Sequence, residues 1–367
     1  MKLSVLPKLR CPSCGSAVAI LSFTRDDENV ENGILVCDGC ETYYPIANYV
    51  PVLLDFETNF HRAFAKKYQR ELSNQKYHVP RGTARPGELS IQETFSDQWD
   101  TVQDNELSFT FTSDELVSLH RDVWMAWIGE HKPKTVLDVG CGLGREAAAV
   151  QLAIGEDTEV FGIDLNFACL QSGAVYRERK GLHLFIASLF APPFELESFD
   201  LVYTQGVIHH TYSTHEAFKS ISRFVRRGGR MFVWVYGLDD HLIEKGKRGV
   251  VRKVLWRLET MTRPLISRCP AGVRDAIFGV TSLSVHSAYR LVPSTRRHGG
   301  KWTRSNTEHA LRDKFSPRYA FRHSYNELIE WYEDAGFSII GYQSPSAYRR
   351  IFSVPLFGVG LAAKRSR

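Results

Sequence analysis

Apolar and polar positions along the chain change period from one segment to the next. Thr112 and Glu115 stand in capping-box spacing ahead of Leu116, Leu119, Val123 and Trp127, which share one helical face. Short apolar runs follow at Val136–Val139, Val160–Leu165, Leu182–Ala187, Phe199–Val207 and Met231–Tyr236, the last behind a Gly228-Gly229 turn. Between them lie stretches with helical spacing: an Ala-rich one through Ala153, then Phe167–Arg179 and His215–Val225. Strands alternating with helices of about 10–15 residues predict parallel βαβ units. An amphipathic helix from Tyr325 to Ala335 and two closing strands, Phe337–Tyr342 and Ile351–Ala362, complete the pattern. The expected fold is α/β, a doubly wound, mostly parallel, seven-stranded sheet.

Outside that core the pattern changes. Residues 1–56 hold short β-type runs and turns, and 57–75 read as helical and polar. Pro80, Gly82, Pro86 and Gly87 mark a linker. The expected organisation is a small N-terminal unit (1–56), a linker with helices able to act as a lid (57–110), a core (111–240), a helical insertion (241–322), and a return to the core (323–367). Phe95 and Trp99, four apart, suit either a lid or ordinary helix packing.

Composition sharpens one part of this picture. With 43% apolar and 24% charged residues the chain is globular in character, not disordered. No run approaches the roughly 18 apolar residues that span a bilayer, and the first ten residues do not read as a signal peptide, so a cytoplasmic protein is expected. The net charge of +5 conceals an asymmetry: residues 241–322 hold 18 Lys and Arg against 5 Asp and Glu. Within them Val251, Val254, Leu255 and Leu258 recur at helical spacing, with Arg252, Lys253 and Arg257 on other faces. Such a segment could be a solvated face, a grip on an anionic small acceptor, or a contact with RNA or a peripheral membrane surface. Aromatics accompany the charges at Trp256, Tyr289 and Trp302 only, which gives little support for base stacking.

The central chemical signal is Asp138-Val139-Gly140-Cys141-Gly142-Leu143-Gly144, where the first core strand meets a helix. Glycines there let the backbone approach a ligand closely. Asp164 ends the next strand, 20 residues after Gly144, where an acid can accept hydrogen bonds from ribose hydroxyls. Asp138 disfavours a pyrophosphate at this helix N-terminus but suits a cationic ligand.

Four stretches in order resemble the motifs of class I S-adenosylmethionine (SAM)-dependent methyltransferases of the type 11-like kind. They are Asp138–Gly144, Phe161–Asp164, Ser198–Tyr203 with Val207–His210, and Gly228–Phe232. The resemblance spans about residues 110–240 and 323–367 and implies a Rossmann-like methyltransferase sheet with SAM as cofactor. It implies that Gly140, Gly142 and Gly144 line the methionine part and that Asp164 holds the ribose; Asp138 and Leu165 beside them are expected to be cofactor-binding as well. Gln205 would stand beside the cofactor at the end of the fourth core strand. Relatives often have an Asp for the adenine amino group where this chain reads Ala187-Ser188-Leu189, so Ser188 and Leu189 take that position with a weaker acceptor.

Methyl transfer is an in-line displacement, and positioning supplies much of its acceleration. A base is needed only for a protonated acceptor. His209 and His210 follow the fourth core strand and are the candidates, though either could simply shape the pocket. That strand is followed neither by an Asn/Asp-Pro-Pro-aromatic motif, as in enzymes methylating exocyclic amines of bases, nor by a Cys, as in those attacking pyrimidine C6.

Cys11 and Cys14 are separated from Cys37 and Cys40 by 22 residues, the two-knuckle form of a zinc ribbon with a slightly long spacer. Four thiolates suit structural Zn2+ rather than catalysis, whereas two disulfides would suit an oxidising compartment. With Tyr44-Pro45-Ile46 and Val50–Leu54, this region resembles the small zinc-ribbon subunit that partners several methyltransferases. Cys141, Cys169 and Cys269 read as small buried hydrophobes. The expected function is SAM-dependent methyl transfer to a small-molecule or saccharide-type acceptor, with RNA as the alternative. From another class, a non-catalytic scaffold binding a partner also fits a ribbon with a basic segment.

Overall fold

The structure is a computed structural model that describes residues 1–26, 28–100, 112–238, 247–291, 303–352 and 358–366. Trp302 falls outside these, as do the side chains of Trp99, Val251, Arg252, Leu255 and Tyr289. Eleven strands are found among the described residues: β1 (Ala19–Asp26), β2 (Asn29–Cys37), β3 (Thr42–Ala47), β4 (Val50–Leu53), β5 (Thr135–Val139), β6 (Glu159–Asp164), β7 (Leu182–Ala187), β8 (Phe199–Gln205), β9 (Val225–Val235), β10 (Phe337–Tyr342) and β11 (Val359–Arg365). They form one sheet in the order β1-β2-β3-β4-β7-β6-β5-β8-β9-β11-β10.

The sequence leads to seven strands, and the sheet has more because the N-terminal unit joins it. β4 pairs in parallel with β7, Val52 opposite Ile186 and Leu53 opposite Ala187. Val52, Leu53, Ile186 and Ala187 are all essentially inaccessible, so this seam is core rather than a surface contact. The Arg10 N–H donates to the Pro193 carbonyl at 2.8 Å, and the Asn48 side chain donates to Leu170 O at 2.5 Å. Gly173 lies so close that a Cβ there would stand 1.7 Å from the Asn48 oxygen. An exposed edge is thereby paired and protected.

β5, β6, β7, β8 and β9 are parallel, and β11 and β10 close the sheet antiparallel. Chain order reverses between β5 and β8, so the crevice for a ligand opens at the carboxyl ends of those strands. Helix Ser113–Leu119 begins with the expected capping box between Thr112 and Glu115. Two boundaries differ from expectation. β9 starts at Val225 and runs through the Gly228-Gly229 turn position. Ile351 and Phe352 end a helix, Pro345–Phe352, and β11 begins only at Val359. Tyr348 of that helix packs on Trp124 and Ala347 is buried, which anchors the helix against the core.

Two further helices matter for the site. Helix Glu88–Asp100 passes over the segment after β6, where the Phe167 N–H donates to Ser96 Oγ at 2.9 Å. Helices Lys247–Ile266, Ala271–Leu291 and Arg304–Phe315 form the basic region. Among the described residues no helix is long and apolar enough to cross a membrane.

Candidate active site and cysteine cluster

The loop after β5 is left-handed at three positions, with φ of +86° at Gly140, +57° at Gly142 and +83° at Gly144. Space enforces glycine at two of them. A Cβ on Gly140 would lie 2.1 Å from a Val207 methyl, and one on Gly144 2.6 Å from a Leu184 methyl. The N–H groups of Gly140 and Cys141 both donate to Ile163 O, at 2.8 and 3.2 Å, which ties the loop to the end of β6.

Asp164 closes this arrangement. One carboxylate oxygen accepts the Gly142 N–H at 2.8 Å, and the other accepts the Asn166 backbone N–H at 2.9 Å and its amide at 2.6 Å. Burial raises its pKa, opposed by these bonds. The oxygen that accepts only the Gly142 N–H keeps a lone pair for a hydroxyl donor. Leu165 beside it is half-buried.

Asp138 is different. It is 3% exposed and its Oδ2 has no hydrogen-bond partner. Burial, then the neighbouring charges of Glu146 and Asp164, push its pKa well above the usual carboxylate range. Three acids converge on one glycine loop with no cation supplied by the loop itself. An unpartnered buried carboxyl is costly, and a ligand with an ammonium or sulfonium group would relieve it. The donor set therefore fits SAM: acids for positive charge and ribose hydroxyls, and glycines for close approach.

Ser188 follows β7 and is buried, but its hydroxyl is already committed. It donates to a carboxylate oxygen of Glu88, whose other oxygen accepts the Arg85 N–H at 2.6 Å. Burial raises the pKa of Glu88, with the Ser188 bond acting against it. Ser188 thus forms a pair with Glu88 rather than presenting a lone hydroxyl. Sequence reasoning did not bring Glu88 to Ser188, since it lies 100 residues upstream, at the start of helix Glu88–Asp100. Leu189 beside Ser188 is half-buried against the core.

Gln205 ends β8 and is held from behind. The Tyr203 hydroxyl meets Gln205 Oε1 and, at 3.0 Å, His120 Nδ1, while His120 Nε2 meets Glu146 at 2.6 Å. Tyr203 and His120 are 1% and 0% exposed, so this chain of polar groups runs through dry core between Gln205 and the helix after the glycine loop.

The histidine pair lies under the basic helices. His209 is fully buried, neither ring nitrogen has a partner, and its ring packs 4.0 Å from that of Tyr236. His210 Nδ1 donates to the Tyr319 carbonyl at 2.8 Å, which fixes the proton on Nδ1 and leaves Nε2 as an unpartnered lone pair. Burial lowers the pKa of both rings, at His210 against the nearby Asp313 charge. Phe95 of the covering helix meets the His210 ring edge-on at 5.7 Å. Tyr236 donates to Asp313 at 3.2 Å, and Arg322 lies over the Tyr236 ring at 5.5 Å. Arg263 and Arg322 both reach Glu259, Arg322 at 3.4 Å.

At the other end of the molecule Cys11, Cys14, Cys37 and Cys40 bring their sulfurs within 4.8 Å of one another, with no disulfide among them. Cys11–Cys40 and Cys14–Cys37 stand at 3.6 and 3.5 Å. Tetrahedral thiolates about 2.3 Å from a zinc ion are separated by about 3.8 Å, close to this spacing. Gly15 (φ +78°) and Glu41 (φ +51°) take matching left-handed turns after the two pairs. Tyr44 OH lies 3.1 Å from Cys11 Sγ and 2.8 Å from Ser13 Oγ, fixing that sulfur from outside.

Residues 137–233 match the family described as Methyltransferase domain. Sterol 24-C-methyltransferase of Pneumocystis carinii is 30% identical over 127 residues, 33% of each chain. The tRNA U34 carboxymethyltransferase of Idiomarina loihiensis is 28% identical over 134 residues, 34% of this chain and 41% of that one. Magnesium protoporphyrin IX methyltransferase of Synechocystis PCC 6803, solved with bound SAH, is 17% identical with a TM-score of 0.42, covering 76% of this chain and all of that one. The chain spans about a third of the length of the curated relatives it matches. It contains a SAM-dependent methyltransferase domain, and the acceptors named for its relatives differ from one to the next.

Proposed function

We propose that the protein transfers a methyl group from SAM to a small-molecule or saccharide-type acceptor carrying an anionic group. The observation that carries the cofactor side is the unpartnered, buried Asp138 carboxyl beside Asp164 and the three left-handed glycines. When bound, SAM supplies an activated methyl group. Asp138 with Gly140, Gly142 and Gly144 holds the charged methionine end, and Asp164 and Leu165 the ribose. Ser188 with Glu88, flanked by Leu189, takes the adenine, and Gln205 is oriented by Tyr203 and His120. Helix Glu88–Asp100 covers the pocket and excludes water.

On the acceptor side His210 acts as the base. Its Nδ1–H is fixed on Tyr319 O, so Nε2 is free to take the acceptor proton, and a depressed pKa keeps the ring neutral for that purpose. His209 packs behind it. The excess of Lys and Arg in residues 241–322 favours an acceptor with a carboxylate or phosphate. The four cysteines hold one structural Zn2+ that fixes the N-terminal unit, and through β4 the edge of the sheet.

The similarity to a tRNA enzyme and the excess of Lys and Arg in residues 241–322 favour RNA as the second reading. Labelled SAM added to cell extract, with and without nuclease, separates the two. Label in the small-molecule fraction regardless of nuclease supports the proposal, and nuclease-sensitive label in the large fraction overturns it.

A further inference from the structure

Helix Lys247–Ile266 is turned the wrong way round for a helix that merely covers a core. At about 100° per residue, Val250, Val254, Leu258, Met261 and Leu265 fall on one stripe. All five are solvent-exposed, at 63, 51, 51, 73 and 69%. The opposite side carries Glu259 and Arg263, both buried and paired with each other, and the half-buried Trp256 under Arg322. Among the described side chains the charged pair thus packs inward and the apolar stripe meets water. The next helix, Ala271–Leu291, also exposes Val273, Val280 and Leu283, while Phe278 and Ser282 are buried.

The rim of the stripe is cationic. Lys253, Arg257 and Arg268 are exposed beside it, and the one acid of the helix, Glu259, is buried on the far side. An exposed apolar stripe flanked by cations is the pattern of a helix that lies in the interfacial plane of an anionic bilayer. A second copy of this chain would set Lys253 and Arg257 against like charges, and a nucleic acid would leave the Val, Leu and Met side chains in water. We propose that this helical region docks peripherally on anionic lipid membranes, the stripe entering the interface and the cations meeting headgroups. The inward face of the same helix borders the Tyr236–His210 cluster, so the docked bilayer adjoins the acceptor side of the site. The docking itself is independent of the methyl-transfer reading.

The test is cosedimentation of the whole chain with vesicles of phosphatidylcholine and phosphatidylserine, and with phosphatidylcholine alone. Binding is expected to the anionic vesicles and to weaken with salt. The triple variant Leu258→Glu, Met261→Glu and Leu265→Glu, all outward-facing, should lower partitioning by about a hundredfold or more, and Lys253→Ala with Arg257→Ala by about 25-fold. An unchanged thermal midpoint in each variant excludes unfolding as the cause. Failure of the wild-type chain to bind anionic vesicles, or unaltered binding by the triple variant, overturns the proposal. So does self-association, or RNA retention, that the triple variant abolishes while vesicles are ignored.

Discussion

Asp138→Asn separates ligand binding from folding in a way few substitutions do. The carboxyl is 3% exposed, its Oδ2 is unpartnered, and Glu146 and Asp164 add negative potential. A raised pKa in the folded chain means that the carboxyl favours folding only below its unfolded value. That contribution is lost as pH rises through the folded value, so ionisation of this carboxyl opposes folding. An amide of the same shape removes it, and the thermal midpoint of the ligand-free variant should equal or exceed that of the wild type. SAM binding moves the other way. A charge-assisted hydrogen bond contributes about 1.5–3 kcal/mol, and this one lies in a dry pocket without screening, so Kd should rise about 10–150-fold. Calorimetric titration with SAM and thermal denaturation of the same preparation read both quantities. A lowered midpoint with unchanged affinity would refute the reasoning, since Asp138 would then be a structural residue.

Three other outcomes follow from the same geometry. His210→Ala should lower kcat by about 10²–10⁴-fold with SAM affinity unchanged, and the acid limb of the wild-type rate profile should lie below the ordinary imidazole value of about 6.5. Turnover unaffected by the substitution would exclude the base role. Tyr203→Phe removes the hydroxyl between Gln205 and His120, and its cost of about 1–3 kcal/mol should appear as about a 5–150-fold rise in the KM for SAM. Elemental analysis should find one zinc per chain, and Cys37→Ser should lower the thermal midpoint by about 10 °C or more; a metal-free protein with an unchanged midpoint would contradict the cluster assignment.

The core strands were legible because β5, β6, β7 and β8 are buried on both faces and so appear as short apolar runs between helical periods. The glycine loop and Asp164 were legible for a related reason: backbone geometry at a strand end admits few residue types. What long-range packing decides was not. Nothing in Val50–Leu53 announces a partner at Leu182–Ala187, and Glu88 looks like any first-turn acid until the fold sets it against Ser188. Ile351 and Phe352 were expected to open a strand but end a helix, which Tyr348 anchors by packing on Trp124. Of the exposed apolar stripe, Val254 and Leu258 were visible as periodicity, but periodicity does not say which side of a helix meets water.

The central claim is a SAM pocket built on Asp138, the three glycines and Asp164. Titrating the purified chain with SAM in a calorimeter, beside the Asp164→Ala variant, tests it most directly. The account predicts one site per chain in the wild type and a strong loss of affinity in the variant. A folded wild-type chain that gives no binding heat, or a variant that binds SAM equally well, would contradict it.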